Sequence, residues 1–196
     1  MRRDIVTSVI GIVVFTILLG VVYPLVITGV SQVVFPGNAN GQQIHVNGKL
    51  LGSKLIGQSF AGNSRYFQSR PSATEGGAYN AAASTFSNRG PNDKATAEAD
   101  AENLKTYLEL NGPYDPGLTT AQVPVDAVNT SGSNLDPEIS EANARIQAHR
   151  VAAKRGLTLA TVNGLIDKYT SGRGLGFSGE PGVNVLELNL ALGRAH

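Results

Sequence analysis

The chain has 196 residues, with 16 basic and 15 acidic side chains, a net charge of +1 and no cysteine. Lack of cysteine excludes disulfides, thiolate catalysis and cysteine-based zinc sites. Arg2, Arg3 and Asp4 aside, the remainder balances 14 basic against 14 acidic residues, so there is no basic field of the kind that draws nucleic acid or anionic lipid, and neutral or protein partners are expected.

From Ile5 to Phe35 the chain carries no charge, and 14 of the 19 residues between Val9 and Ile27 are Val, Ile, Leu or Phe. Each of these favours the bilayer centre by roughly 0.3 to 0.6 kcal/mol, so the window gains on the order of 6 kcal/mol on insertion. As a helix the run is about 45 Å long at about 1.5 Å per residue, more than the hydrocarbon core needs. Pro24 removes a backbone donor and predicts a bend near Tyr23, tolerable where a partner helix or polar side chain compensates. Arg2 and Arg3 precede the span and the next positive charge is Lys49, which predicts a cytoplasmic N-terminus. The run is too long for a signal peptide, so an uncleaved anchor is expected. The expected division is an anchor over residues 1–35, a linker over 36–41 and an extracytoplasmic domain over 42–196.

Asn47-Gly48 between Ile44-His45-Val46 and Leu50-Leu51 predicts a hairpin with a two-residue turn. Short strand and loop are expected from Lys54 to Ser72. Asp93 predicts the cap of a helix running to about Leu110, stopped by Asn111-Gly112-Pro113. Val123 to Val128 reads as a short strand. Asp136 before Pro137 reads as a helix start, with Ile139, Ala142, Ile146, Arg150 and Ala153 on one face up to Gly156. Another helix is expected from Thr158 to Tyr169, with Val162, Leu165, Ile166 and Tyr169 inward. Leu186, Leu188, Leu190 and Leu192 alternate with other residues, the period of a half-buried strand. The fold class expected is thus a single N-terminal transmembrane α-helix followed by an extracytoplasmic α/β domain with a small sheet and about three helices.

Signals for chemistry are sparse. Gly174, Gly176 and Gly179 match GxGxxG but lead from a predicted helix toward a strand, the reverse of the order that dinucleotide binding needs. The sequence has no phosphate-binding GxxxxGK[ST] loop and no GxSxG, and His45, His149 and His196 stand far apart, so no catalytic residue and no metal ligand is assigned. Gln58, Phe60, Tyr66, Phe67, Arg70, Tyr79 and Asn80 form the densest polar and aromatic group. That composition suits a partner-facing patch; the alternative is that Phe60, Phe67 and Tyr79 are core and Arg70 a structural ion-pair partner. Pro24 joins the interface candidates on the membrane side.

Taken in order, Tyr23-Pro24-Leu25, Phe35-Pro36, Gly52 to Phe60, Tyr66-Phe67, Arg70-Pro71-Ser72-Ala73, Tyr79-Asn80, Val123-Pro124, Ser131 to Pro137, Arg150-Val151-Ala152 and Val183 to Leu192 resemble the C subunit of the Kdp potassium-transporting ATPase. The resemblance implies an accessory subunit of a bacterial high-affinity potassium pump, needed for assembly or activity and lodged in the cell membrane. Its implied partners are a channel-like subunit that carries the ion and a P-type ATPase subunit that hydrolyses ATP. It further implies a catalytic chaperone that raises the ATP affinity of the hydrolysing subunit, with ATP contacts that would fall on Ser131, Gly132, Ser133 and Asp136; the sequence leaves any contact with potassium undetermined. If that loop lies outside the cell, cytoplasmic ATP cannot touch it, and an indirect effect through helix packing is easier. Two stretches depart from the family pattern: Ser84 to Pro91 replaces a frequent Ser-Gly-Gly-Ser, and Asn134 and Glu138 stand where glycine and histidine are common. The readings set against this one are a pilin-like structural protein and an anchored extracytoplasmic enzyme or binding protein unrelated to transport.

Overall fold

The computed structural model describes residues 1–84, 88–90 and 92–194, so part of the Ser84 to Pro91 stretch, and His196, lie outside the described residues. By internal contacts the chain divides into two compact units, Met1–Ser53 and Lys54–His196.

The first unit begins with α1 (Arg2–Ile17), continues through one π-helical turn (Leu18–Val22) into α2 (Tyr23–Val34), and adds a single turn α3 (Pro36–Ala39). Together Arg2–Val34 make 33 helical residues, whose most apolar 18-residue window has a mean hydropathy of 2.8, and none is buried by the rest of the chain. This is one helix long and apolar enough to cross a membrane. Where the sequence predicts a bend, just before Pro24, the helix makes a π-turn, in which Tyr23 N–H donates to the carbonyl of Leu18, five residues back instead of four. Hairpin strands β1 (Gln43–Val46) and β2 (Lys49–Ser53) pair antiparallel as expected. Asn47 (φ 50°) and Gly48 (φ 77°) supply the two positive φ angles that a tight turn of this twist requires.

In the second unit α4 (Lys94–Asn111) starts where the sequence indicated, with the Asp93 side chain accepting from Ala95 N–H at 2.7 Å. A two-residue strand β3 (Glu138–Ile139) leads into α5 (Glu141–Arg155), and α6 (Leu159–Tyr169) runs directly into β4 (Thr170–Ser171). Strand β5 (Gly182–Asn184) lies between β3 and β4, antiparallel to both, and α7 (Val185–Leu192) follows at once. The core packs Phe67 and Ile139 among α5, α6, β5 and α7, with Ala148, Val151, Ile166 and Leu188 fully or almost fully buried.

Three local expectations are corrected. Residues around Val123 to Val128 form two 3-10 turns, Thr120–Gln122 and Val125–Ala127, because Pro124 has no N–H for a ladder and Thr119 with Gln122 makes a reciprocal cap. Helix α5 starts after Ser140, whose hydroxyl accepts from Asn143 N–H at 3.1 Å, and not at Asp136. Its buried face is Asn143, Ala144, Gln147, Ala148, Arg150 and Val151, while Ala142 and Ala153 are exposed. The closing leucines lie on a helix, with Asn184 capping Glu187 N–H at 3.1 Å.

Candidate functional site

Between Lys54 and Ser84 the chain has one 3-10 turn, Ala81–Ala83, and otherwise no regular helix or strand, so its backbone groups need other partners. Side chains of α5 and α7 supply them. Asn189 accepts from Phe67 N–H at 2.9 Å and donates to the Phe67 carbonyl at 3.0 Å. Gln147 does the same for Gln68, at 2.7 and 3.1 Å. Arg150, fully buried, donates to the carbonyls of Ser64 and Tyr66, to Asn111 Oδ1 and to Gln147 Oε1. Every one of these acceptors is neutral; burial lowers the Arg150 guanidinium to about 10, and it remains a cation at neutral pH.

The next stretch meets the loop Ser131 to Pro137. Arg70 donates to Asp136 Oδ2 at 3.1 Å, to Asn129 Oδ1 at 2.9 Å and to the Thr130 carbonyl at 3.2 Å. Its Nε is buried without a hydrogen-bond partner among the described residues. Ser72 donates to the carbonyl of Asn134, and Asn134 Oδ1 accepts from Ala73 N–H. Gly57 N–H donates to the carbonyl of Leu135 at 2.8 Å. Tyr79, at φ 63°, closes the 70–79 loop by donating its hydroxyl to the Arg70 carbonyl at 2.7 Å. Burial above all raises this phenol to about 12, with the charge of Asp136 adding to the effect. Tyr107, bonded to Asn143 Oδ1 at 2.9 Å, is raised further by burial and by Asp126.

Phe60, Arg70, Tyr79, Tyr107, Leu110 and Ala127 border an open groove of about 420 Å³. Phe60 and Tyr66 pack with ring centroids 5.7 Å apart, and the Arg155 guanidinium lies 4.7 Å from the Tyr66 centroid. Of the residues singled out from sequence, Phe67 is core, Arg70 ties the groove wall to Asp136 of the 131–137 loop, Tyr79 bonds the Arg70 carbonyl and Ser72 Oγ, and Gln58 offers its carbonyl to Ser69 at 2.8 Å. Asn80 caps Ala82 N–H and donates to the Glu75 carbonyl. Pro24 belongs to the other unit.

The 131–137 loop is engaged with itself. Ser131 Oγ accepts from Asp136 N–H, and Ser133 Oγ accepts from Leu135 N–H at 3.1 Å. Asp136 caps Glu138 N–H at 3.0 Å. Its carboxylate lies against Arg70, whose donors it shares with Asn129 and Thr130. An ATP triphosphate needs converging free donors; this donor set, with an acid at its centre, does not fit one. Among the described residues no three acidic or histidine side chains gather as metal ligands.

Sequence reasoning missed Asn129, Asn134, Gln147 and Asn189. A signal existed for one of them: Asn143, Gln147 and Arg150 recur at helical spacing on the face that also carries Ala144, Ala148 and Val151. Polar residues embedded in an apolar stripe mark an internal hydrogen-bond network.

The family model described as "K+-transporting ATPase, c chain" matches residues 5–194. A protein of Methylococcus capsulatus is 52% identical over 181 residues, 92% of each chain. One from Mycobacterium tuberculosis is 47% identical over 195 residues, covering 99% of this chain and all of its own. One from Koribacter versatilis is 45% identical over 193 residues, 98% of this chain and 95% of its own. Each of these relatives is named potassium-transporting ATPase KdpC subunit. With a match that runs from the apolar helix through the last helix of the folded unit, this chain belongs to the KdpC family, the c chains of potassium-transporting ATPases.

Proposed function

We propose that this chain is the accessory subunit of an ATP-driven potassium uptake pump in a bacterial cell membrane. In this reading it crosses the bilayer once with its N-terminus in the cytoplasm and works by binding its neighbours instead of by chemistry of its own. Those neighbours are a channel-like subunit and a P-type ATPase subunit. The observation that carries the reading is the helix Arg2–Val34, which leaves its apolar side chains uncovered; such a helix needs lipid and other membrane helices. Support for ATP binding by the hydrolysing subunit then reaches it through subunit contacts. The inward-turned hydrogen bonds of the 131–137 loop favour this indirect route over direct contact with nucleotide.

Co-expression with the other subunits tests the proposal: the chain is expected to co-purify with them in detergent, and a complex lacking it should lose potassium-stimulated ATPase activity and show a raised KM for ATP. Recovery of the chain alone, with full activity in its absence, overturns it. Orientation is read with a lone cysteine at Gly132, which is exposed and has open space where its Cβ would go. An impermeant thiol reagent should label it in intact cells.

A further inference from the structure

We propose that the π-turn Leu18–Val22 is a docking point for a membrane helix of another pump subunit, which supplies a side-chain hydrogen-bond donor to the backbone carbonyl of Leu19. The proposal rests on the pump reading above and deepens it by naming where, and with what chemistry, the helix is recognised.

The hydrogen-bond ladder leaves Leu19 without a donor. A helical carbonyl is served from four residues ahead, or from five in a π-turn. For Leu19 those positions are Tyr23 and Pro24. Tyr23 N–H is used by Leu18, and Pro24 has no N–H. The carbonyl of Gly20 loses its Pro24 donor in the same way and depends on Leu25, which the carbonyl of Val21 also requires. So the turn presents a cluster of acceptors in excess of its donors.

Depth makes this consequential. Residues 18–22 lie at the middle of the 33-residue helix, where water cannot substitute for a missing donor and an unpaired carbonyl is strongly unfavourable. The helix has no remedy of its own. Side chains on a helix lean toward its N-terminus, so Val22 and Tyr23 are the residues that cover Leu19. One ends in methyls, and the other carries its hydroxyl at the far end of a rigid ring that is 60% exposed. Thr16 sits about a turn earlier, and its side chain leans further toward the N-terminus. Meanwhile Gly20 has nothing within 4 Å of the position its Cβ would occupy, so a neighbouring backbone can come close enough for a short donor, such as a Ser, Thr or Asn side chain, to reach Leu19. In a parallel second copy of this chain Thr16 would sit about a turn away from the Leu19 carbonyl and Tyr23 would present a phenol in place of a short donor, which makes a helix of the channel-like subunit the better occupant.

The test uses the assembled complex in detergent. Gly20→Leu fills the notch and is expected to lower retention of the chain in the complex at least tenfold under stringent washing. Gly11→Leu and Gly29→Leu, which alter glycines equally open in the isolated chain, should be retained like the wild type. A photo-reactive benzoylphenylalanine in place of Tyr23 should cross-link to the channel-like subunit. Retention of Gly20→Leu at the wild-type level, or a cross-link only to a second copy of this chain, overturns the site while leaving the pump reading intact. Failure of the wild-type chain to co-purify defeats the pump reading itself.

Discussion

Asn189 grips the peptide of Phe67 from both sides, accepting from its N–H at 2.9 Å and donating to its carbonyl at 3.0 Å, across 122 positions of sequence. This is the pairing that a neighbouring strand would provide, delivered by one carboxamide. It holds an irregular segment against the core where no ladder exists, and Phe67 itself is fully buried.

Asn189→Leu therefore leaves two buried main-chain groups without partners. At about 1 to 3 kcal/mol per group, the expected loss of stability is about 2 to 6 kcal/mol. Thermal unfolding of the detergent-solubilised chain measures the loss. Hydrogen exchange at the Phe67 amide should accelerate in the same variant, and an unchanged exchange rate would show that the clamp carries no stability.

Gly57 marks the closest approach in the same region. A Cβ there would overlap the Tyr79 ring and lie 2.6 Å from the carbonyl oxygen of Asp136. Because one obstacle is backbone, shifting a side chain does not relieve it. Gly57→Ala should destabilise the chain by about 2 to 4 kcal/mol, the range of an overpacked or strained core site. Tyr79→Ala should fail to rescue it, since the Asp136 contact persists. Denaturation midpoints of the two single variants and the double variant decide the matter.

How much of this was legible in the sequence depends on where the information lay. Asn47-Gly48, Asp93 and Thr158 act on their own neighbours, and each element they announce forms. The leucines of α7 misled because this helix is buried on nearly all sides, and a stripe on every face has no period to read. Asn184 three positions before Glu187 was a local cap signal that outweighs the alternation. Asp136 looked like a helix cap, but its side chain accepts from Glu138 N–H at the start of β3; its second partner, Arg70, lies 66 positions away. Likewise the 58–80 group and the 131–137 loop read as separate candidates and are joined through the bonds of Ser72 and Ala73 to Asn134, a relation that only long-range packing creates.

Leu175 offers a test of strain against burial. It holds φ 53°, costly for a branched side chain, yet is 91% exposed at the tip of a turn bridged by Gly174 and Ser178. Burial within this chain does not offset the strain. Leu175→Gly should thus leave stability unchanged or raise it by up to about 1 kcal/mol, as read from the thermal midpoint. A loss of more than about 1 kcal/mol would mean that the leucine packs against something in the folded chain.

The tyrosines give the chain a defined alkaline response. Burial raises the Tyr79 phenol from 10.0 to about 12, so the folded form holds its proton where the unfolded form has released it. Its contribution to stability is complete below pH 10 and is lost as the pH rises through 12, with a slope of about 1.4 kcal/mol per pH unit between the two values. Phenolate absorbance should show Tyr79 and Tyr107, which is raised further, ionising late and together with unfolding. Tyr79→Phe removes one late-ionising group and flattens the loss of stability between pH 10 and 12. At neutral pH the same variant gives up the 2.7 Å bond to the Arg70 carbonyl, costing about 1 kcal/mol. If Tyr79 ionised near pH 10 with the fold still intact, it would be open to water and the closure of the 70–79 loop by its hydroxyl would be wrong.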